Sequence, residues 1–70
     1  MSGIKREAVR EINGRVLGYI DFLPNGDKEI RDRVNRYLGK YDKQMNVTKD
    51  YAGRMLYRGD QSSMLLQKEK

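Results

Sequence analysis

Cysteine, histidine and tryptophan are all absent from this 70-residue chain, and proline and phenylalanine occur once each. Without cysteine there can be no disulfide and no thiolate metal site. Without histidine, zinc would have to be held by carboxylates alone, and a serine nucleophile would need lysine as its base. No apolar stretch approaches a membrane span, and Met1 to Arg10 lacks the apolar run of a signal peptide. The expectation is a cytoplasmic chain that takes no cofactor and does not enter a membrane.

A chain this short makes one small domain, residues 1–70, which buries only about 60% of the surface its unfolded form exposes. Small scaffolds commonly compensate with disulfides, a metal or association. With the first two excluded, association with copies of itself is the expected remedy. Fifteen Lys and Arg stand against ten Asp and Glu, a formal net charge of +5. That balance leans toward polyanionic partners, but the charges are interleaved along the chain. Only Lys5-Arg6 and Lys68-Glu69-Lys70 read as solvated tails, with disorder expected over the last four residues.

What the chain does contain is a repeat. Residues 10–21, 31–42 and 49–60 align without a gap, each reading base, acid, two variable residues, Gly or Asn, Arg, apolar, Leu, three variable residues, Asp. An acid followed three residues later by Gly or Asn fits a type I turn, with the last residue in the left-handed region that makes a three-residue hairpin loop. Glu11, Asp32 and Asp50 then lie across from Arg15, Arg36 and Arg54 as acid–Arg turn pairs. One step further, Val9, Ile30 and Thr48 are expected to face Leu17, Leu38 and Leu56. Each unit thus supplies two strands. The connectors agree, since Pro24-Asn25-Gly26 is a strong turn signal and Asn46 can adopt a positive φ. The fold class expected is all-β: a six-strand meander of three hairpin repeats, curled or barrel-like.

Two segments leave choices. Ile30, Val34, Tyr37, Leu38 and Tyr41 also sit at helical spacing. Strands are expected there, because Gly14 and Gly53 occupy the column that Asn35 fills and glycine weakens a helix interior by about 1 kcal/mol. Residues 61–67 form a cap, either a helix that Asp60 or Ser62 starts, carrying Met64, Leu65 and Leu66, or a last apolar strand.

Strict alternation from Val16, Tyr37 and Met55 onward puts Gly18 and Ile20 on one face and the leucine column on the other. Both faces are then partly apolar, so one is expected to meet the C-terminal cap or a second chain. Leu17, Leu38, Leu56, Leu65 and Leu66 are the residues expected in a core or interface. Gly18 and Gly39, between apolar neighbours, imply curvature or close backbone approach.

The string acid-x-x-Gly-Arg-x-Leu-Gly-x-x-Asp resembles the hairpin units of flower-like bacterial β-repeat proteins. It is more distantly similar to the tyrosine-aspartate repeats of bacterial surface proteins and toxins, with Tyr41-Asp42 the one place where that pair occurs. The chain also resembles orphan proteins of bacterial gene cassettes and other mobile elements. These resemblances imply a β-hairpin architecture and carry no catalytic residue.

Catalysis finds little support in the residues. The carboxylates recur with the repeat, which suits turn and pairing roles better than an asymmetric catalytic pair. No loop has the dense acidic spacing of a calcium site and none is a phosphate-binding glycine loop. The function expected is therefore non-enzymatic: a self-assembling or protein-interaction module. The alternative is nucleic-acid binding, with Arg10, Arg31, Lys49, Lys40 and Arg58 as contacts and tyrosines as stacking platforms on a sheet face.

Overall fold

A computed structural model describes residues 4–67. Within them the chain forms β1 (Lys5–Arg10), β2 (Val16–Phe22), β3 (Lys28–Asp32), β4 (Tyr37–Asp42), β5 (Val47–Asp50), β6 (Met55–Arg58) and α1 (Ser62–Gln67). The strands pair antiparallel in sequence order, β1 to β6, as one meander. The sheet is open: β1 and β6 are its two edges and do not pair, so of the curled or barrel-like forms expected, closure into a barrel does not occur. Residues 28–38 are strand and turn, and the cap is a helix. Lys5 and Arg6, expected as a solvated tail, instead begin β1. Gln67, within the stretch expected to be disordered, belongs to α1, and the tail expected at Lys68-Glu69-Lys70 lies outside the described residues.

All three hairpins close the same way. The acid's amide donates to the Arg carbonyl and its carbonyl accepts from the Gly or Asn amide: Glu11 N to Arg15 O and Gly14 N to Glu11 O are both 2.8 Å, and Asp32 and Asp50 repeat the pattern at 2.9–3.0 Å. Gly14, Asn35 and Gly53 have φ of +89°, +72° and +88°, the left-handed conformation that confines this column to Gly or Asn. The Leu23-Pro24-Asn25-Gly26-Asp27 connector uses the same bonds, with Leu23 N to Asp27 O at 2.9 Å. Its Pro24 supplies the φ that the first central residue of a type I turn needs.

The leucine column differs from its expected pairing. Val9 pairs Gly18, Ile30 pairs Gly39 and Thr48 pairs Tyr57, while Arg10, Arg31 and Lys49 pair Val16, Tyr37 and Met55. Leu17, Leu38 and Leu56 are therefore the extra residues of three β-bulges, not the partners of Val9, Ile30 and Thr48. A bulge breaks the two-residue alternation. Leu17 and Ile20 consequently pack on the same core, although strict alternation had separated them.

That core is Ile30, Leu65 and Leu66, at 0%, 5% and 1% exposure, with Val9, Leu17, Ile20, Leu38 and Leu56 packed around it. Helix α1 lies over β2, β3 and β4. It can approach because Gly18 and Gly39 carry no side chain. A Cβ on Gly18 would stand 2.5 Å from Leu66 Cδ2 and one on Gly39 2.9 Å from Leu65 Cδ1, with the Arg31 and Lys49 carbonyl oxygens closer still. In the third unit the column holds Tyr57, and the main contacts of α1 are with β2, β3 and β4. Fully burying each of Leu65, Leu66 and Ile30 contributes roughly 1.5–3 kcal/mol. The buried Thr48 hydroxyl places the helix, donating to Gly59 O at 2.8 Å and accepting from Gln61 N at 3.0 Å. Asp60 accepts from the Ser62 hydroxyl at 2.7 Å and pairs with Lys28, tying the helix start to β3.

Candidate interaction surface

With one face of the sheet under α1, the opposite face and the loop ends are what a partner could meet. Alternation fills the opposite face with cross-strand rows. One row runs Arg6, Asp21, Glu29, Lys40, Lys49 and the next runs Ala8, Tyr19, Arg31, Tyr37. Within them Arg6 grips Asp21 with two bonds of 2.6 and 2.9 Å. Arg31 reaches Asp21 at 3.4 Å and Glu29 at 3.3 Å. The Arg6 bonds, helped by Arg31, hold the Asp21 carboxyl below its ordinary value of 3.8, against the opposing effect of its burial. Arg6 lies 5.2 Å over Tyr19 and Arg31 5.7 Å over Tyr37. Burial pushes the Tyr37 hydroxyl upward, and Glu29 adds to this.

Four of the five cations read as nucleic-acid contacts have partners within the chain. Arg31 is bound as described, Lys40 pairs with Asp27 at 3.5 Å and Lys49 with Asp42 at 3.7 Å. Arg10 donates to Gly14 O at 3.0 Å. Arg58 is exposed, across from Val47 near the β6 edge. The tyrosine rings of this face lie under guanidinium groups, which leaves no bare stacking platform of the kind single strands use among the described residues of that face.

The hairpin ends present something different. An antiparallel meander sends the loops at 12–14, 33–35 and 51–53 to the same end of the sheet. Asp32 accepts amide bonds from Val34 at 3.0 Å and Arg36 at 2.8 Å, and Asp50 accepts from Ala52 and Arg54, both at 2.9 Å. The Arg54 and Ala52 amides hold the Asp50 carboxyl below its ordinary value. Arg36 and Arg54 approach these acids at 3.5 and 3.6 Å yet keep 76% and 83% of their side chains exposed. In the first loop no ion pair joins Glu11 to Arg15 among the described residues. Asn13 accepts the Arg15 amide there at 2.9 Å, because the longer glutamate does not make the aspartate's turn bonds.

Between the arginines stand apolar side chains. Ile12, Val34 and Tyr51, one from each loop, are among the most exposed large apolar residues of the chain. Leu17, Asp32, Arg33, Val34 and Arg36 line a depression beside the second loop. Sequence reasoning had placed the loops' acid–Arg pairs but passed over these three residues as variable columns. The signal was available, since apolar residues at the centre of a turn run against the polar composition expected there. Of the leucines offered to either core or interface, Leu65 and Leu66 are in the core and Leu17, Leu38 and Leu56 are half-buried against it. No helix among the described residues is long and apolar enough to cross a membrane. A scan against protein-family models and searches of curated proteins and of solved structures return no match for the chain.

Proposed function

We propose that this chain is a non-enzymatic protein-interaction module of the cytoplasm that docks its partner on the row of hairpin loops. The observation that carries the reading is the repeated exposure of Ile12, Val34 and Tyr51 beside arginines, on loops that hydrogen bonding holds rigid. Rigid loops bearing apolar residues and arginine cost little entropy on docking, and arginine and aromatic residues are the side chains that protein interfaces favour. Several of the hydroxyls and carboxylates that catalysis could use have structural occupations. Ser62 and Asp60 start α1, and Asp32 and Asp50 bind turn amides. A photo-crosslinking residue placed in the cell at position 12, 34 or 51 should trap one protein, and the same residue at Lys40 on the opposite face should not. Equal trapping from both positions, or trapping at Lys40 alone, would contradict the loop row as the docking site.

Self-association is a second reading, favoured by the unpaired outer edges of β1 and β6, which could extend the sheet into a neighbour. Light scattering after gel filtration tests it. A discrete oligomer at both low and high salt would support it, and a monomer at all concentrations would dispose of it.

A further inference from the structure

The exposed charged residues of the three hairpin loops are all of one sign. Seven of its fifteen basic residues lie in the chain's three hairpin segments 10–15, 31–36 and 49–54, against three of its ten acidic ones, but two of the seven, Arg31 and Lys49, are neutralised on the opposite face. The five that remain stand against three acids, an excess of +2 of the total +5. The three acids are the turn acids, two of which bind backbone amides. The bases there include the exposed Arg15, Arg33, Arg36 and Arg54. On the opposite face, by contrast, Asp21, Asp27, Glu29 and Asp42 neutralise Arg6, Arg31, Lys40 and Lys49.

We infer that the partner docked on the loop row is an acidic protein segment that also carries apolar side chains; the inference rests on the reading above and adds the partner's chemistry to it. The charge calls for carboxylates, which arginine can bind through paired N–H groups. Ile12, Val34 and Tyr51 call for apolar groups between them. That second requirement selects a protein over a nucleic acid, because a phosphate backbone gains nothing from isoleucine or valine. The register sets the length. Asp32 is level with Gly18 and Val9, and Asp50 with Gly39 and Ile30, so each loop stands two residues back from the one before. Two strand spacings across and two residues along put successive loops about 12 Å apart and the outer two about 24 Å apart. At about 3.3 Å per residue, an extended segment needs roughly seven residues to touch all three loops.

Fluorescence anisotropy with labelled twelve-residue peptides tests the inference. The probes are one peptide alternating Glu and Leu, one with the same Glu content and Ser for Leu, and one with Leu and Ser but no charge, beside a duplex DNA of twelve base pairs. The Glu–Leu peptide should bind at least tenfold more tightly than the other three. That margin should vanish in the Ile12→Ser/Tyr51→Ser double variant and in Arg33→Glu, with urea midpoints unchanged to show intact folding. An uncharged peptide binding as tightly as the Glu–Leu one would overturn the acidic partner and leave loop docking standing. Binding of DNA or the Glu–Ser peptide with equal strength, unaffected by the Ile12→Ser/Tyr51→Ser change, would overturn both. So would failure of every peptide to bind.

Discussion

Replacing Gly18 and Leu66 by alanine, singly and together, probes the contact that seats α1 on the sheet. Leu66 is 1% exposed, and truncating a buried leucine costs about 2–5 kcal/mol. The whole domain has only about 3.5–10 kcal/mol of stability at the usual 0.05–0.15 per residue. Gly18→Ala brings a methyl to 2.5 Å from Leu66 Cδ2 and against the Arg31 carbonyl, an overpacking worth about 1–3 kcal/mol. In the double variant the leucine half of that clash is gone and only the carbonyl remains. The two costs should therefore be sub-additive by at least about 0.5 kcal/mol, the size expected of residues in contact. Urea unfolding followed by circular dichroism resolves this, since a slope near 1 kcal/mol/M turns the coupling into roughly half a molar of midpoint. Should Leu66→Ala leave too little folded protein, Leu66→Val carries the same comparison. Additivity, or a Gly18→Ala variant as stable as the parent, would refute the close packing of α1 on β2.

Three further outcomes are expected. Asp32→Ala strands two turn amides and should cost about 1–3 kcal/mol in urea unfolding, while Glu11→Ala, which lacks those bonds, should cost less than half as much. Gly53→Asn should lie within about 0.5 kcal/mol of the parent, because Asn35 holds the same conformation and open space surrounds the site, whereas Gly53→Val should lose roughly 1–2 kcal/mol of stability. Asp21, Asp27, Asp50 and Asp60 all sit below their ordinary value of 3.8 in the folded chain. Asp27 is lowered chiefly by the Lys43 amide, and Asp60 by Lys28 and Ser62 against the opposing effect of burial. A lowered carboxyl contributes stability that is complete above its unfolded pKa and lost as pH falls through the folded one. Melting temperature should hold steady at mildly acidic pH and drop as pH falls below about 3.9; a decline centred near pH 6 would contradict these assignments.

Much of the fold was legible because the repeat ties local chemistry to register. The column Gly14, Asn35, Gly53 admits only residues tolerant of positive φ, and that fixes the loop, the strand pairing and the strand character of residues 28–38. What escaped was the bulge at Leu17, Leu38 and Leu56. A bulge leaves no mark in composition, yet it brings the leucine column to the face of Ile20 and Ile30, where α1 covers it. Gly18 and Gly39 did signal a close approach, but their neighbour, α1, is remote in sequence. The pairing of Arg6 with Asp21 was hidden for the same reason, being a contact between strands fifteen residues apart in the chain. The loop row could be placed from the turns, and its apolar residues stood in columns that vary between repeats, where only their mismatch with turn composition marked them.

Whether α1 covers its own sheet decides between a self-contained domain and one that needs a second copy. Isotope-filtered nuclear Overhauser spectra on a mixture of labelled and unlabelled chains measure this directly. Cross-peaks from Leu66 methyls to Gly18 Hα and from Leu65 methyls to Gly39 Hα should arise within one chain. Their appearance only between chains, or their absence in a folded sample, would contradict the helix-capped hairpin sheet on which the proposed loop surface depends.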